Sequence, residues 1–183
     1  MSHYNHSDLY AQVEKVISNA TEKIKNNNYM GYDPADLFTS ELSLIKEMPG
    51  FLARFLTLVN FYSPVNLRGV LRIVPAQNTT AIVIWGMTHQ KMFKYSGNEL
   101  YLKEVDFAIN WLLEHALNFD DTLGWARIVE YQSRRHVVHK KSSSLTLINA
   151  KAADMFLRQY LITQDERYLS LTDKVCKHIE EHT

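Results

Sequence analysis

Acidic residues in two separate parts of the chain have the chemistry of a catalytic pair. Asp33 and Asp36 lie close together near the start, and Glu130 lies far along the chain. Hydrolysis of a glycosidic bond needs two carboxyl groups that face each other across the sugar, one protonated and one ionised. Carboxylates also stabilise the first turn of a helix, so Asp33 has a second interpretation as a helix cap. Glu130 has a second interpretation as a solvated loop residue.

Aromatic and basic residues near Glu130 are candidates for holding a substrate. Trp125 follows Gly124, and an indole ring exposed in a loop can stack on the apolar face of a pyranose. The other interpretation of Trp125 is a core residue. Arg127 adds a positive charge beside it, and His139 lies in a local basic segment that suits an anion such as a phosphate or a uronate.

A further group of candidates lies at the ends of predicted hairpins. Tyr32, Asn66 and Arg68 are placed to line the mouth of a helical ring. The Arg68 guanidinium can bind a carboxylate or a phosphate through two parallel hydrogen bonds, and a structural ion pair is the alternative role.

Histidine spacing gives only a weak signal for a metal. His136 and His139 lie three positions apart, which suits one metal ion on a helix, with His89 or His115 as a third ligand. The two valines between them fit equally well in an extended segment, which points the imidazoles to opposite faces. The chain also lacks a His-Glu-x-x-His motif, a phosphate-binding glycine loop and a nucleophile elbow. We therefore predict neither a metal nor a cofactor.

A segment that occurs twice, 67 positions apart, indicates which elements position these residues. Residues 95–102 return as 162–169. The apolar positions that follow also return: Leu102, Val105, Ile109 and Leu112 correspond to Leu169, Thr172, Cys176 and Ile179. This spacing marks one face of a helix, and each copy has a Ser or Thr three residues before a Glu, a capping-box pattern. We predict antiparallel helical hairpins at about 78–117 and 144–182, which bury their apolar faces against each other.

Three more helices are predicted ahead of the repeat. One spans about residues 8–25, a second opens at Pro34 and ends before the next proline, and a third spans about 51–62. The face of the first helix expected to be buried comprises Leu9, Val13, Val16, Ala20 and Ile24. Residues 118–141 lack a clean period, and we expect an ordered, functional loop there. No linker divides the chain, so we predict one all-α domain over residues 1–183.

The composition is that of an ordinary globular protein. Of 183 residues, 46% are hydrophobic and 22% are charged, and 20 basic residues balance 20 acidic ones. This balance gives no electrostatic reason to expect a nucleic acid or an anionic membrane as a partner. The N-terminal residues lack the pattern of a signal peptide, and no apolar stretch approaches the roughly 20 residues of a spanning helix. We therefore expect a cytoplasmic protein.

Several short motifs taken together resemble a family of bacterial α/α-toroid proteins of the six-hairpin glycosidase-like kind, associated with polysaccharides. The motifs lie within residues 29–182 and comprise Gly31–Asp36, Pro64–Arg68, Trp111–Leu113, Gly124-Trp125 and the second hairpin. Some proteins of this kind are labelled δ-aminolevulinate dehydratases. The chain has neither a run of zinc-ligating cysteines nor an evident Schiff-base lysine motif for that reaction.

The resemblance implies an (α/α) toroid that binds or cleaves a saccharide in its concave mouth. A non-enzymatic helical scaffold, which assembles through exposed hairpin faces, is the alternative, because the chain shows no convincing acid pair. A ring of six hairpins with this repeat needs roughly 350 to 400 residues, about twice this chain. We therefore expect one of two situations. Either the chain is the N-terminal part of a longer toroid, or two copies cover each other's last hairpin.

Overall fold

Helices make up nearly all of the regular structure in a computed structural model of the chain. The structure describes residues 6–32, 36–119, 121–126, 131–132, 138–139 and 145–182. The helices are α1 (His6–Asn26), a 3-10 turn (Asp36–Thr39), α2 (Ser43–Lys46), α3 (Gly50–Tyr62), α4 (Thr79–Ser96), α5 (Leu100–Glu114), α6 (Thr146–Thr163) and α7 (Glu166–His182). Two short antiparallel strand pairs join β1 (Leu117–Phe119) to β2 (Thr122–Gly124) and β3 (Tyr131–Gln132) to β4 (Val138–His139). The all-α prediction is confirmed.

The predicted helical hairpins are α4–α5 and α6–α7, and both turn in the same way. Gly97 and Gln164 follow the first helix of each pair in the left-handed conformation, with φ of 68° and 58°. Their N–H groups donate to the carbonyls of Phe93 and Tyr160 at 2.8 and 2.7 Å. A left-handed residue with this bond ends a helix by satisfying one of its last carbonyls.

The second helix of each pair also begins with matching bonds. Asn98 Oδ1 accepts the N–H of Leu100, and Asp165 Oδ1 accepts the N–H of Arg167, both at 3.0 Å. The predicted capping residues, Ser96 and Thr163, lie two residues too early: each donates to the carbonyl four residues earlier and accepts the N–H two residues on. The side chains that accept the first N–H groups of the second helices are those of Asn98 and Asp165. These turn contacts lie 67 positions apart, although a duplication of the sequence itself stays a prediction.

The main core lies between the two hairpins. Val105, Ile109 and Leu112 of α5 are buried, as predicted, in one apolar cluster with Phe156 of α6 and Val175 of α7. Burial of this kind is the main favourable contribution to folding. Helix α4 joins the hairpins by packing against α6, and the apolar face of α5 completes the cluster.

Close packing of three helices occurs at Gly86 of α4. A Cβ added there would press on the Met155 side chain of α6 and lie 3.1 Å from the Cβ of Ala108 on α5. Next to this contact, the Gln90 amide donates to the Met155 carbonyl at 2.9 Å and to Gln159 Oε1 at 3.0 Å. Absence of a side chain at Gly86 allows α4 to approach both neighbours.

The buried face of α7 differs from the predicted one. Val175 and His178 are fully buried, whereas Leu169 and Cys176 are exposed. The prediction that Leu169 and Cys176 belong to the buried apolar face is therefore wrong. The reason is that α7 packs against α6 and β2, with His178 against Gly124 of β2, so the side of α7 that carries Val175 and His178 is the buried one.

The docking face of α1 also differs from the predicted one. Thr21 Oγ1 lies 3.2 Å from His89 Nε2, and Glu14 accepts a hydrogen bond from the Tyr101 hydroxyl at 3.1 Å. Because α4 and α5 offer polar groups here, α1 meets them with a largely polar face. The buried face predicted for α1 is wrong for Leu9, Val13 and Val16, which are exposed.

A smaller apolar cluster joins the segments between α1 and α4. It contains Leu37, Ile45, Ala53 and Ile73. The helix predicted to follow Pro34 is interrupted, because the backbone of Ser40 pairs with Ile73 and its hydroxyl donates to the Leu71 carbonyl. Pro34 itself lies outside the described residues.

Truncation of Leu112 tests the position of the main core. The side chain is fully buried, so we expect Leu112→Ala to lower the free energy of unfolding by about 2 to 5 kcal/mol, through lost burial and a cavity. The matched control is Leu100→Ala on the same helix, since Leu100 is exposed. Urea denaturation of both variants measures the difference, and equal losses would contradict the assignment.

Candidate functional site

Three of the predicted binding residues lie together. The guanidinium carbon of Arg68 lies 4.8 Å from the centre of the Tyr32 ring, within the range of a cation–π contact. Asn66 Oδ1 accepts the backbone N–H of Arg68 at 3.1 Å and so fixes the local turn. Tyr32 is 50% exposed. The guanidinium therefore supports an aromatic ring that remains open to solvent elsewhere.

We call Tyr32, Asn66 and Arg68 the Tyr32 platform. Backbone pairing attaches this platform to the helical core. Gly31 and Ala76 exchange two backbone hydrogen bonds, of 3.1 and 2.9 Å. Gln77 then donates through its side chain to the Asn28 carbonyl at 2.9 Å and accepts the indole N–H of Trp111 at 2.6 Å. Trp111 belongs to α5, so residues 28–32 are held in a fixed position relative to the hairpins.

Of the predicted carboxyl residues, the structure describes only the backbone of Asp36. Asp33 and Glu130, together with Arg127, lie outside the described residues. Asp36 begins the 3-10 turn, but its side chain is not among those described. This turn contacts β3, whose first residue, Tyr131, follows Glu130 in the chain.

The remaining candidate is His139, and two further acidic residues, Asp120 and Asp121, lie between β1 and β2 in the sequence. The backbone of His139 pairs with Tyr131 in the β3–β4 hairpin, and its side chain is not among those described. Asp121 is exposed in the turn between β1 and β2, and Asp120 lies outside the described residues.

Two kinds of feature are absent from the part of the chain that the structure describes. Within it, no group of three or more His, Cys, Asp or Glu side chains could hold a metal ion. None of its helices combines the length and apolarity needed to cross a bilayer.

Trp125 lies in the core. Its ring is completely buried 5.9 Å from Phe156, and its indole N–H donates to the Leu112 carbonyl at 2.7 Å. Its backbone N–H donates to Asn149 Oδ1 at 2.8 Å. A buried ring offers no face to a sugar, so the stacking role predicted for Trp125 does not fit this structure. Its other interpretation, as a core residue, does.

Sequence reasoning missed a buried carboxylate, Glu104, on α5. Lys25 of α1 forms an ion pair with Glu104 Oε1 at 2.6 Å, and Oε2 accepts hydrogen bonds from the Tyr29 hydroxyl at 2.8 Å and the Trp85 indole N–H at 3.4 Å. The spacing that buries Tyr101, Glu104 and Ala108 on one face of α5 was a usable signal. A charged residue within such a face needs partners.

These contacts determine the protonation of Glu104. Burial alone would raise its pKa, but the hydrogen bonds from Lys25 and Tyr29 outweigh burial and lower the pKa below its ordinary value of 4.5. Burial lowers the pKa of the neighbouring His89. Glu104 is therefore held as an anion. It attaches α1 to α4 and α5, and its arrangement does not suit a proton donor.

Comparisons with known proteins give similar solved structures, among them two glycoside hydrolases. No protein-family model matches the chain. No curated protein matches it either. A family 76 glycoside hydrolase from a bovine Bacteroides thetaiotaomicron strain has a TM-score of 0.49 and 14% identity, over 59% of this chain and 24% of that one. A family 76 α-mannanase from Bacteroides thetaiotaomicron has a TM-score of 0.46 and 18% identity, over 55% and 27%. Both are glycoside hydrolases, and the chain spans about a quarter of their length.

The pH dependence of stability tests the role of Glu104. Since its pKa is lower in the folded state than in the unfolded one, the ion stabilises the fold above about pH 4.5, and this stability is lost as the pH falls through the folded-state pKa. We expect Glu104→Gln to lower the free energy of unfolding by about 1 to 3 kcal/mol at neutral pH. The difference in the free energy of unfolding between wild type and Glu104→Gln should become smaller at acidic pH.

The matched control is Glu114→Gln, since Glu114 is an exposed carboxylate on the same helix. Denaturation at neutral pH and at about pH 3 measures the effect. An equal difference between wild type and Glu104→Gln at both pH values would contradict this role.

Proposed function

We propose that this chain binds a saccharide on the Tyr32 platform, in an α-hairpin array that forms an arc of an (α/α) toroid. The supporting observation is the half-exposed Tyr32 ring, which the Arg68 guanidinium supports and the Gly31–Ala76 pairing attaches to the core. The sequence resemblance to glycosidase-like toroids points to the same class of ligand.

The platform has the chemistry of a sugar subsite. An aromatic ring packs against the apolar C–H face of a pyranose, and polar groups at its edge bond the hydroxyls. Arg68 lies over one face of the Tyr32 ring, which leaves the other face for the sugar, and Asn66 is the polar neighbour of Arg68 in the same turn. Because the ring is already held in place, little conformational entropy is lost when a ligand stacks on it.

Hydrolysis of the bound saccharide is the more specific form of this proposal. We propose Glu130 and either Asp33 or Asp36 as the carboxyl pair, with Arg127 and His139 beside the substrate. A separation of about 5 to 5.5 Å between the carboxyls would give retention at the anomeric carbon, and about 6.5 to 9.5 Å would give inversion. The 3-10 turn that begins at Asp36 already contacts the strand that follows Glu130.

Exposed apolar surface supports the alternative, a helical scaffold. Phe51, Phe55, Leu58 and Phe61 of α3 are all exposed, at a spacing that places most of them on one side of the helix. Apolar patches of this kind mark interaction surfaces. A scaffold would use them without any saccharide.

A thermal-shift screen with a panel of oligosaccharides tests the proposed function, because a ligand stabilises the folded state that it binds. For the best ligand, we expect Tyr32→Ala to weaken binding by at least about tenfold, or about 1.4 kcal/mol. The matched control is Tyr62→Ala, since Tyr62 is also exposed and lies on α3. It should leave the affinity unchanged.

Measuring product formation with the same oligosaccharides separates binding from hydrolysis. Glu130→Gln should abolish product formation and retain binding if the enzymatic form is right. If no saccharide shifts the melting temperature, or if Tyr32→Ala binds as tightly as wild type, the platform is not the site.

A further inference from the structure

We propose that Glu104, acting through Tyr29, is a positioning residue for the Tyr32 platform. Its carboxylate holds Tyr29 in a backbone conformation that a tyrosine rarely adopts, and that conformation directs the chain into the platform. The inference rests on the saccharide binding proposed above and names a residue that controls the affinity of that site.

The end of α1 explains one left-handed residue but not two. Asn28 and Tyr29 both have positive φ, of 51° and 57°. The N–H of Asn28 donates to the Lys25 carbonyl and the N–H of Tyr29 donates to the Ile24 carbonyl, both at 2.9 Å. This pair of bonds is a common end of a helix, and it needs a left-handed residue only at the position of Asn28. Asparagine tolerates that region, whereas a bulky residue such as Tyr29 is strained there.

Side-chain contacts hold Tyr29 in this strained conformation. Its hydroxyl donates to Glu104 Oε2 at 2.8 Å. Its ring stacks on the Phe107 ring, with the centroids 3.7 Å apart and the planes 17° from parallel, and it meets the Trp85 ring edge-on at 6.0 Å. All three partners belong to the α4–α5 hairpin. A strained residue persists where its surroundings determine its conformation in this way.

The strained residue lies directly before the platform in the chain. Two residues after Tyr29, the backbone of Gly31 pairs with Ala76, and Tyr32 follows at once. The dihedral angles of Tyr29 set the direction in which the chain leaves α1. They therefore determine where the Tyr32 ring meets the guanidinium of Arg68, which lies 4.8 Å from its centre.

Ligand affinity depends on how fully the platform is held in its binding position. When only a fraction of the molecules has the binding conformation, the apparent affinity falls by that fraction. The bond from the Tyr29 hydroxyl to Glu104 opposes relaxation of the strained backbone, so its loss lowers the fraction with a correctly placed Tyr32. Glu104 thus influences binding without touching the ligand.

The experiment compares two variants that each lose one tyrosine hydroxyl. Tyr29→Phe removes the bond to Glu104 and keeps the ring that stacks on Phe107. The matched control is Tyr10→Phe on α1, because the buried Tyr10 hydroxyl has no hydrogen-bond partner among the described residues. We expect Tyr29→Phe to weaken binding of the best oligosaccharide at least about threefold, measured by isothermal titration calorimetry, and Tyr10→Phe to leave the affinity unchanged. Circular dichroism checks that both variants fold.

A second readout needs no ligand. An aromatic ring shifts the NMR signals of protons that lie over its face, so the side-chain signals of Arg68 report its contact with Tyr32. The Tyr32→Ala variant gives their position without that contact. Tyr29→Phe should move the Arg68 signals toward this position, and Tyr10→Phe should not. A lower global stability alone would leave the signals of the folded state in place.

The two readouts separate this inference from the proposed function. If no saccharide binds the wild-type protein, the proposed function fails, and the Arg68 signals still decide whether Glu104 positions the platform. Unchanged Arg68 signals in Tyr29→Phe would overturn the inference. So would wild-type affinity in Tyr29→Phe for a saccharide whose binding Tyr32→Ala weakens. An equal effect of Tyr10→Phe would also overturn it, because the cause would then be a general loosening of α1.

Discussion

Close packing at Gly86 is the constraint on which the rest of this fold depends. With no side chain there, α4 approaches both Ala108 of α5 and Met155 of α6. The same contact aligns the Gln90 amide with the backbone of α6. Helix α4 therefore joins the two hairpins in one core, and the apolar face of α5 closes over it. A larger residue at position 86 would push α4 away from α5 and α6, the helices that form the main core.

Polar contacts attach the peripheral elements to this core. Glu104 holds α1 through Lys25, and the Trp111 indole holds Gln77 at the base of the Tyr32 platform. Hydrogen bonds and ion pairs of this kind depend on direction, so they fix geometry more than they add stability. The candidate saccharide site thus lies on a peripheral segment whose position the hairpins determine.

The sequence predicted the hairpins because helical period and turn residues are local properties. It identified Val105, Ile109 and Leu112 of α5 correctly as buried, whereas Leu102 is only partly buried. The prediction of burial failed for Leu169 and for Val13. A helical period in the sequence shows that a helix has an apolar face but not which neighbours cover that face. The sequence left Trp125 open between a stacking residue and a core residue, since a tryptophan after a glycine has the same pattern in a loop and in a core. Glu104 was missed because its partners come from distant segments.

Hydrogen exchange of the wild-type protein, followed by mass spectrometry, tests most directly whether the two hairpins form one cooperative core. If they do, peptides from α4, α5, α6 and α7 should exchange together and most slowly, through global unfolding. Peptides from α1 and from residues 36–76 should exchange earlier, because fewer buried apolar contacts hold them. If α4–α5 exchanged well before α6–α7, the hairpins would open independently, and the central role of the Gly86 contact would be contradicted.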